Sequence, residues 1–365
     1  MIDFFILWSL ILLSSTFLLN KRTEDFSIFI FFILLLFFIG LRPITLGTDT
    51  KQYTDIYQFW KPSLLDSDLE VLFSWYTSFF KMMKVDTEIW FLSLTFVYLF
   101  FLFFSISRIY KENLAVFLLI ISNLFFWLFS INILRYGLAF SFVVYSASIF
   151  AKKRRKTPSV LFYLIAAAGF HTTIIIQGLA LLLFNRRLVD FLFKYYFFLL
   201  ITSALLFVLN FDLISLFGFF IKNLNGYLPE RFVSRFYFYV DGYAANEINI
   251  GFSYLVSFFV TVCSGRLRKA ICAKVNETRC FFFEVSFYFS LFNLMVLPLV
   301  YKFDTFSRVL SGFDFFSVFL MYELICFLLK EKNKRVLFVV FISSLFFFKL
   351  VYSGFANNFL SDRFL

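Results

Sequence analysis

The sequence predicts an all-α fold, a polytopic helical bundle in a membrane, and three observations predict it. Hydrophobic residues make up 61% of the 365 and charged residues only 16%, with a mean hydropathy of +0.86, so a soluble domain would lack the polar side chains to cover itself. Apolar runs of membrane-spanning length recur from end to end. Most of the 34 lysines and arginines gather in short segments between those runs, where basic residues fix topology. No polar stretch is long enough for a separate soluble domain, so residues 1–365 read as one integral membrane domain.

Taken in order, the apolar segments fall at about residues 2–19, 26–41, 88–107, 113–131, 136–151, 195–210, 250–264, 281–300, 313–329 and 336–352, ten full spans. The first has no basic residues before it and no small-residue cleavage site before Lys21, which suits a retained anchor rather than a signal peptide. Residues 158–184 are also apolar, but a single crossing there would place the basic loop "SGRLRKAICAKVNETR" outside. A break at "AAAGFHTT" makes two short arms that enter and leave on one side. His171 lies at that break. The resulting orientation has both termini outside, with two long outer loops, 42–87 and 211–249. In the first of these, "LEVLFSWYTSFFKMMK" places Leu72, Trp75, Phe79 and Met82 or Met83 at helical spacing, an amphipathic helix on the outer surface.

The formal charge of +11 does not indicate a nucleic-acid binder, because the basic residues lie in the loops between spans. The four cysteines show neither CxxC spacing nor a histidine partner, so neither a zinc site nor a disulfide frame is expected.

Ionisable side chains at membrane depth are costly, about 2.5–3.5 kcal/mol on insertion scales, and each asks for a partner or a wet cavity. Arg42, Arg135, His171 and Arg308 stand at outer span ends. Singly, each arginine reads as an interfacial anchor. Together, three arginines on the outer side call for an anionic ligand or for acidic partners, of which Asp49, Asp55, Asp304 and Asp314 are candidates. A guanidinium's planar fork suits phosphate, so a lipid-linked phosphate or diphosphate fits.

"GLRPITLGTDTKQYTDIY", "ILRYGLAFSF", "AAAGFHTTIIIQGLALLL" and "FSRVLSGFDFF" come in an order and spacing that resemble the EpsG-like branch of the Wzy O-antigen and exopolysaccharide polymerases, over about residues 26 to 330. The resemblance implies a glycosyltransferase of the inner membrane. It would move a growing glycan from undecaprenyl diphosphate onto an undecaprenyl-diphosphate-linked repeat unit on the periplasmic face, with a separate chain-length regulator as a possible partner. It maps the family's functional positions onto Arg42, Asp49, Tyr53, Arg135, His171 and Arg308. Tyr136 departs from it, since the family often has glutamine there.

On this reading Arg42, Arg135 and Arg308 bind diphosphate. His171 is the candidate base and Asp49 orients the acceptor hydroxyl. Asp55, Tyr53, Tyr57 and Trp60 line a glycan groove, to which the second outer loop adds Arg231, Arg235 and Tyr239. No metal-binding acidic cluster is evident, Asp66-Ser67-Asp68 reading as a solvated loop, so no metal and no cofactor is expected. The competing functions are a lipid-linked oligosaccharide flippase, which would show internal repeats, and an O-antigen ligase.

Overall fold

The computed structural model describes residues 21–44, 47, 49–59, 69–111, 113–209, 211, 223, 252–300 and 304–352. Among them there is no strand, and the all-α bundle is as expected. The apolar run 2–19 and nearly all of the outer loop 211–249 lie outside the described residues. The chain divides into two compact units, Met1–Leu182 with Val275–Phe282 and Ile325–Leu365, and Leu183–Lys274 with Phe283–Leu324.

In the first unit, α1 (Lys21–Gly40) packs on α4 (Thr87–Ile109), and α4 packs on α7 (Leu134–Lys153), which in turn lies against α8 (Pro158–Phe170). Phe101 of α4 knits three helices, with its ring centroid 4.3 Å from Phe142 and 5.7 Å from Tyr163. Helix α7 is the core of this unit. All but its polar ends are buried, whereas α4 turns Phe96, Phe100 and Phe104 outward, the dressing expected of a lipid-facing helix.

Two short helices occupy the segment 42–87, expected as the first outer loop. Helix α2 (Thr50–Gln58) buries Thr50, Tyr53, Thr54 and Tyr57, and α3 (Val71–Met82) buries Phe73, Ser74, Thr77 and Ser78. The amphipathic expectation for α3 holds in an inverted sense: the hydroxyl side faces protein, while Val71, Trp75, Phe79 and Met82 are exposed as an apolar stripe. Leu72 is the exception. Its side chain lies against Gly169, where an added Cβ would stand 2.6 Å from Leu72 Cγ, so α3 is pinned to the end of α8.

Residues 113–131, expected as one continuous span, are broken. Helix α5 (Asn113–Ile121) and the helix over Leu124–Asn132 meet at 78°. The cause is local: Asn123 caps the second helix, its Oδ1 accepting the Phe125 amide at 2.8 Å, and Trp127 Nε1 donates to the Ile121 carbonyl at 2.7 Å across the bend. The second helix, α6 (Leu124–Trp127), runs into a π turn, Leu128–Asn132, a feature that concentrates at functional sites.

The break expected at His171 is present: α8 ends at Phe170, His171 takes an extended backbone (φ −158°, ψ 118°), and a 3₁₀ turn (Thr172–Ile174) leads into α9 (Ile175–Leu183). Further on, α15 (Lys332–Tyr352) returns to pack on α5.

The second unit carries α10 (Arg186–Val208), α11 (Phe252–Cys272), α13 (Asp304–Asp314) and most of α12 (Glu277–Val296) and α14 (Ser317–Leu328). Buried hydroxyl pairs tie it together, Thr261 with Ser290 at 2.7 Å and Ser257 with Ser317 at 3.0 Å, as helix contacts in a membrane favour. Asp314, a candidate acid for the outer arginines, instead accepts a hydrogen bond from the neutral Asn293 amide at 3.1 Å. Cys263 and Cys326 are free thiols, whereas Cys272 and Cys280 are disulfide-bonded, which corrects the expectation that no disulfide forms.

Candidate active site

The site is built where the first outer loop meets the π turn. Gly47, in the "GTD" sequence, has φ +82°, a left-handed conformation that glycine adopts without strain. A Cβ there would come within 2.5 Å of Asn132 Oδ1 and 2.6 Å of Ile131 Cγ2. The loop is therefore seated directly on the end of the π turn, and Asp49, at the N-cap of α2, is set beside Arg42.

Arg42 is only 5% exposed. Its Nη1 donates to the Ser130 carbonyl of the π turn at 2.7 Å, and its Cζ lies 4.5 Å from the Phe91 ring centroid. Its Nε and Nη2 are buried without a hydrogen-bond partner among the described residues. Burial pulls the guanidinium pKa down to about 10, against the attraction of Tyr53 and Asp49, so it remains charged at neutral pH.

Arg135, on the first turn of α7, approaches from the other side. Its Cζ is 5.4 Å from the Phe73 ring and 5.9 Å from the Tyr53 ring, and its Nε too is buried without a partner. Tyr53 is the shared neighbour of the two guanidiniums, interacting electrostatically with both and hydrogen-bonding Arg135. The tyrosine is buried, and that burial raises its own pKa. Arg42 and Arg135 thus converge around one phenol. The side chain of Arg308 falls outside the described residues.

His171 joins the same cluster. Its Nδ1 shares a hydrogen bond with Thr173 Oγ1 at 2.8 Å, and its ring meets Tyr136 edge-on at 5.6 Å. The Tyr136 hydroxyl, standing where the family often has glutamine, accepts a hydrogen bond from Gln177 Nε2 at 2.8 Å. Glu70, immediately before α3, is the residue that sequence reasoning missed. Its Oε2 accepts from Arg135 Nη1 at 2.7 Å and its Oε1 from the Thr172 amide at 3.2 Å. Nothing in its local pattern marks it, because it is one of several acidic residues in a polar loop. Among the described residues, the acidic partner of Arg135 is Glu70.

The expected glycan residues separate. Asp55 is exposed on α2. Tyr57 is a core residue: 2% exposed, stacked on Trp90 at 4.7 Å, with its hydroxyl donating to the Val85 carbonyl at 2.5 Å. A ring held this way offers no free face to a sugar. Tyr57→Phe should cost about 1 kcal/mol of stability through the lost hydrogen bond and leave the KM for a glycan acceptor unchanged, as thermal unfolding and acceptor titration of the purified variant would show. Trp60, Arg231, Arg235 and Tyr239 lie outside the described residues.

A buried pair of guanidiniums beside a histidine at a helix break stands in a chain with at least five helices, among the described residues, long and apolar enough to cross a membrane. The family comparison is specific: the chain belongs to the EpsG family, whose model matches residues 25–364. Membership makes it a membrane protein of polysaccharide-polymerase-like, glycosyltransferase-like function. Comparison with curated proteins and with solved structures gave no match.

Proposed function

We propose that the protein is a surface-polysaccharide (O-antigen) polymerase of the bacterial inner membrane. It transfers a growing glycan from undecaprenyl diphosphate onto an undecaprenyl-diphosphate-linked repeat unit at the periplasmic face. The observation that carries this reading is Arg42: a guanidinium buried in an apolar bundle, with Nε and Nη2 lacking hydrogen-bond partners among the described residues. A buried charge with unfilled donors is expensive, and an anion bound between Arg42 and Arg135 relieves that cost.

In the proposed step the acceptor O–H bond breaks and its proton passes to His171. The acceptor oxygen bonds the donor's anomeric carbon, and the bond from that carbon to the diphosphate oxygen breaks with its electron pair leaving on the diphosphate. Arg42 and Arg135 stabilise the charge that builds there, with Arg308 as the third cation, and preorganised cations aimed at developing charge are commonly the largest catalytic contribution. The contact between His171 Nδ1 and Thr173 orients the ring and leaves Nε2 to exchange the proton. Asp49 orients the acceptor hydroxyl, while Asp55, Trp60, Arg231, Arg235 and Tyr239 contact glycan. Diphosphate is a good leaving group, so no metal is required, and a separate chain-length regulator sets polymer size.

The test is extension of one defined lipid-linked repeat unit by the purified protein in the presence of chelator. Polymer is expected. His171→Ala should lower the rate by about 10²–10⁴-fold, and undiminished transfer would remove His171 from the chemistry. Arg135→Lys, which keeps charge but loses the planar fork, should raise the donor KM. A deletion strain should accumulate lipid capped with a single repeat unit. Uncapped lipid with polymer still on its carrier would indicate a ligase instead.

A further inference from the structure

Glu70 spans two donors from different segments of the chain, the guanidinium of Arg135 at 2.7 Å and the backbone amide of Thr172 at 3.2 Å. Both are donor types that recognise phosphate oxygens. The ion pair is largely buried, with side-chain exposures of 21% for Arg135 and 11% for Glu70. Even with this carboxylate in place, Arg135 Nε and the Nε and Nη2 of the neighbouring Arg42 have no hydrogen-bond partner among the described residues. The pocket therefore holds more donors than its own acid satisfies, and a carboxylate already occupies one of its two-donor positions.

The backbone allows that occupancy to be temporary. The Glu70 carbonyl accepts the Ser74 amide at 2.9 Å, which fixes the residue as the N-cap of α3. Helix α3 is in turn pinned to α8 through Leu72 and Gly169. Only side-chain torsions need change for the carboxylate to leave Arg135 and Thr172, and no helix has to move.

We infer that Glu70 is an internal competitor at the anion site and so determines its affinity: in the ligand-free protein its carboxylate occupies the Arg135–Thr172 position that phosphate oxygens of the donor take, and binding displaces it. This rests on the diphosphate reading above. In such an arrangement the apparent dissociation constant is the intrinsic one divided by the fraction of molecules in which the position is vacant. Neutralising Glu70 raises that fraction, so binding tightens. A scaffold glutamate gives the opposite sign, because its loss loosens Arg135 and weakens binding.

The experiment is calorimetric titration of the purified full-length protein with inorganic pyrophosphate and, in a second arm, with a short-chain polyprenyl diphosphate in nanodiscs. Glu70→Gln, nearly isosteric and uncharged, is expected to bind about tenfold more tightly than wild type, ~1.4 kcal/mol. Glu70→Asp, one methylene too short to reach both donors at once, should fall between. Equal or weaker binding by Glu70→Gln at an unchanged melting temperature overturns the competitor role while leaving the anion site intact. Should that variant not fold, the aspartate variant decides by the same sign. Binding of polyprenyl diphosphate but not pyrophosphate assigns the ligand to lipid, and the order of the variants is then read in that arm. Absence of binding in every variant and both arms overturns the diphosphate reading and this inference with it.

Discussion

Arg42→Met is expected to abolish polymer extension while leaving the fold as stable as wild type, or more so. The two effects part because a buried guanidinium has two sides. For folding it is a burden: one hydrogen bond to the Ser130 carbonyl, the face of Phe91 and the attraction of Tyr53 and Asp49 only partly offset desolvation of a charge whose Nε and Nη2 have no hydrogen-bond partner among the described residues. Methionine fills a similar volume and packs on Phe91 without a charge to desolvate. Replacing buried charged groups by apolar ones of similar size is often neutral or stabilising by about 1–4 kcal/mol. The lost Ser130 contact subtracts about 1 kcal/mol, so the net change is expected between zero and about +3 kcal/mol. For catalysis, removing one preorganised stabiliser of leaving-group charge costs about 10²–10³ in rate. Thermal unfolding in detergent and single-turnover extension on the same preparation check both halves. A variant that is less stable and equally active would make Arg42 a structural anchor and remove the observation on which the proposed function stands.

The ion pair of Arg135 could not be foreseen from local pattern, and the reason is physical. Period and composition report which face of a helix is buried, and on that basis the helical class, the helix over 88–107, the break at His171 and the surface helix near Trp75 were legible. Pairing between Glu70 and Arg135 joins residues 65 apart through a loop whose path no periodicity encodes. The bend at Ser122–Asn123 was hidden for a different reason. Its sequence, "IISNLFFW", stays apolar enough to read as continuous, and the helix stops because the Asn123 side chain outcompetes the next backbone bond. Tyr57 shows the reverse error. An aromatic in a polar outer segment looks like a ligand platform, but the segment folds back on α4 and spends that ring on Trp90. His171 was singled out as a rare polar group in apolar surroundings and Asp49 as a candidate acid near the arginines, and both lie in the cluster around Arg42, Tyr53 and Arg135. A polar residue that costs free energy where it sits is easier to read from sequence than one whose partner arrives from elsewhere.

The glycine in "LRYGLAF" supplies the largest structural effect. A Cβ on Gly137 would lie 2.2 Å from the Phe129 carbonyl oxygen and 2.7 Å from its carbonyl carbon. Both are backbone atoms of the π turn, so no side-chain rotation removes the clash, and α7 must move away from Leu128–Asn132. Gly137→Ala is expected to destabilise the protein by about 3 kcal/mol, the upper range for overpacking. The displacement falls on the site itself. Arg135 and Tyr136 occupy the turn of α7 that precedes Gly137, and Ser130, next to Phe129, accepts Arg42, so one shift changes the spacing of both guanidiniums. A misplacement of about 1 Å can cost ~10² in rate, so extension should fall by at least that factor in the fraction that remains folded. Gly178→Ala is the control. Its Cβ would meet nothing closer than Leu164 Cδ2 at 3.8 Å, and alanine favours helix by at most about 1 kcal/mol. That variant should unfold no earlier than wild type and extend glycan at the wild-type rate. Equal behaviour of the two alanine variants would mean that α7 and the π turn do not approach through Gly137, and the geometry that brings Arg42 and Arg135 to one phenol would be wrong.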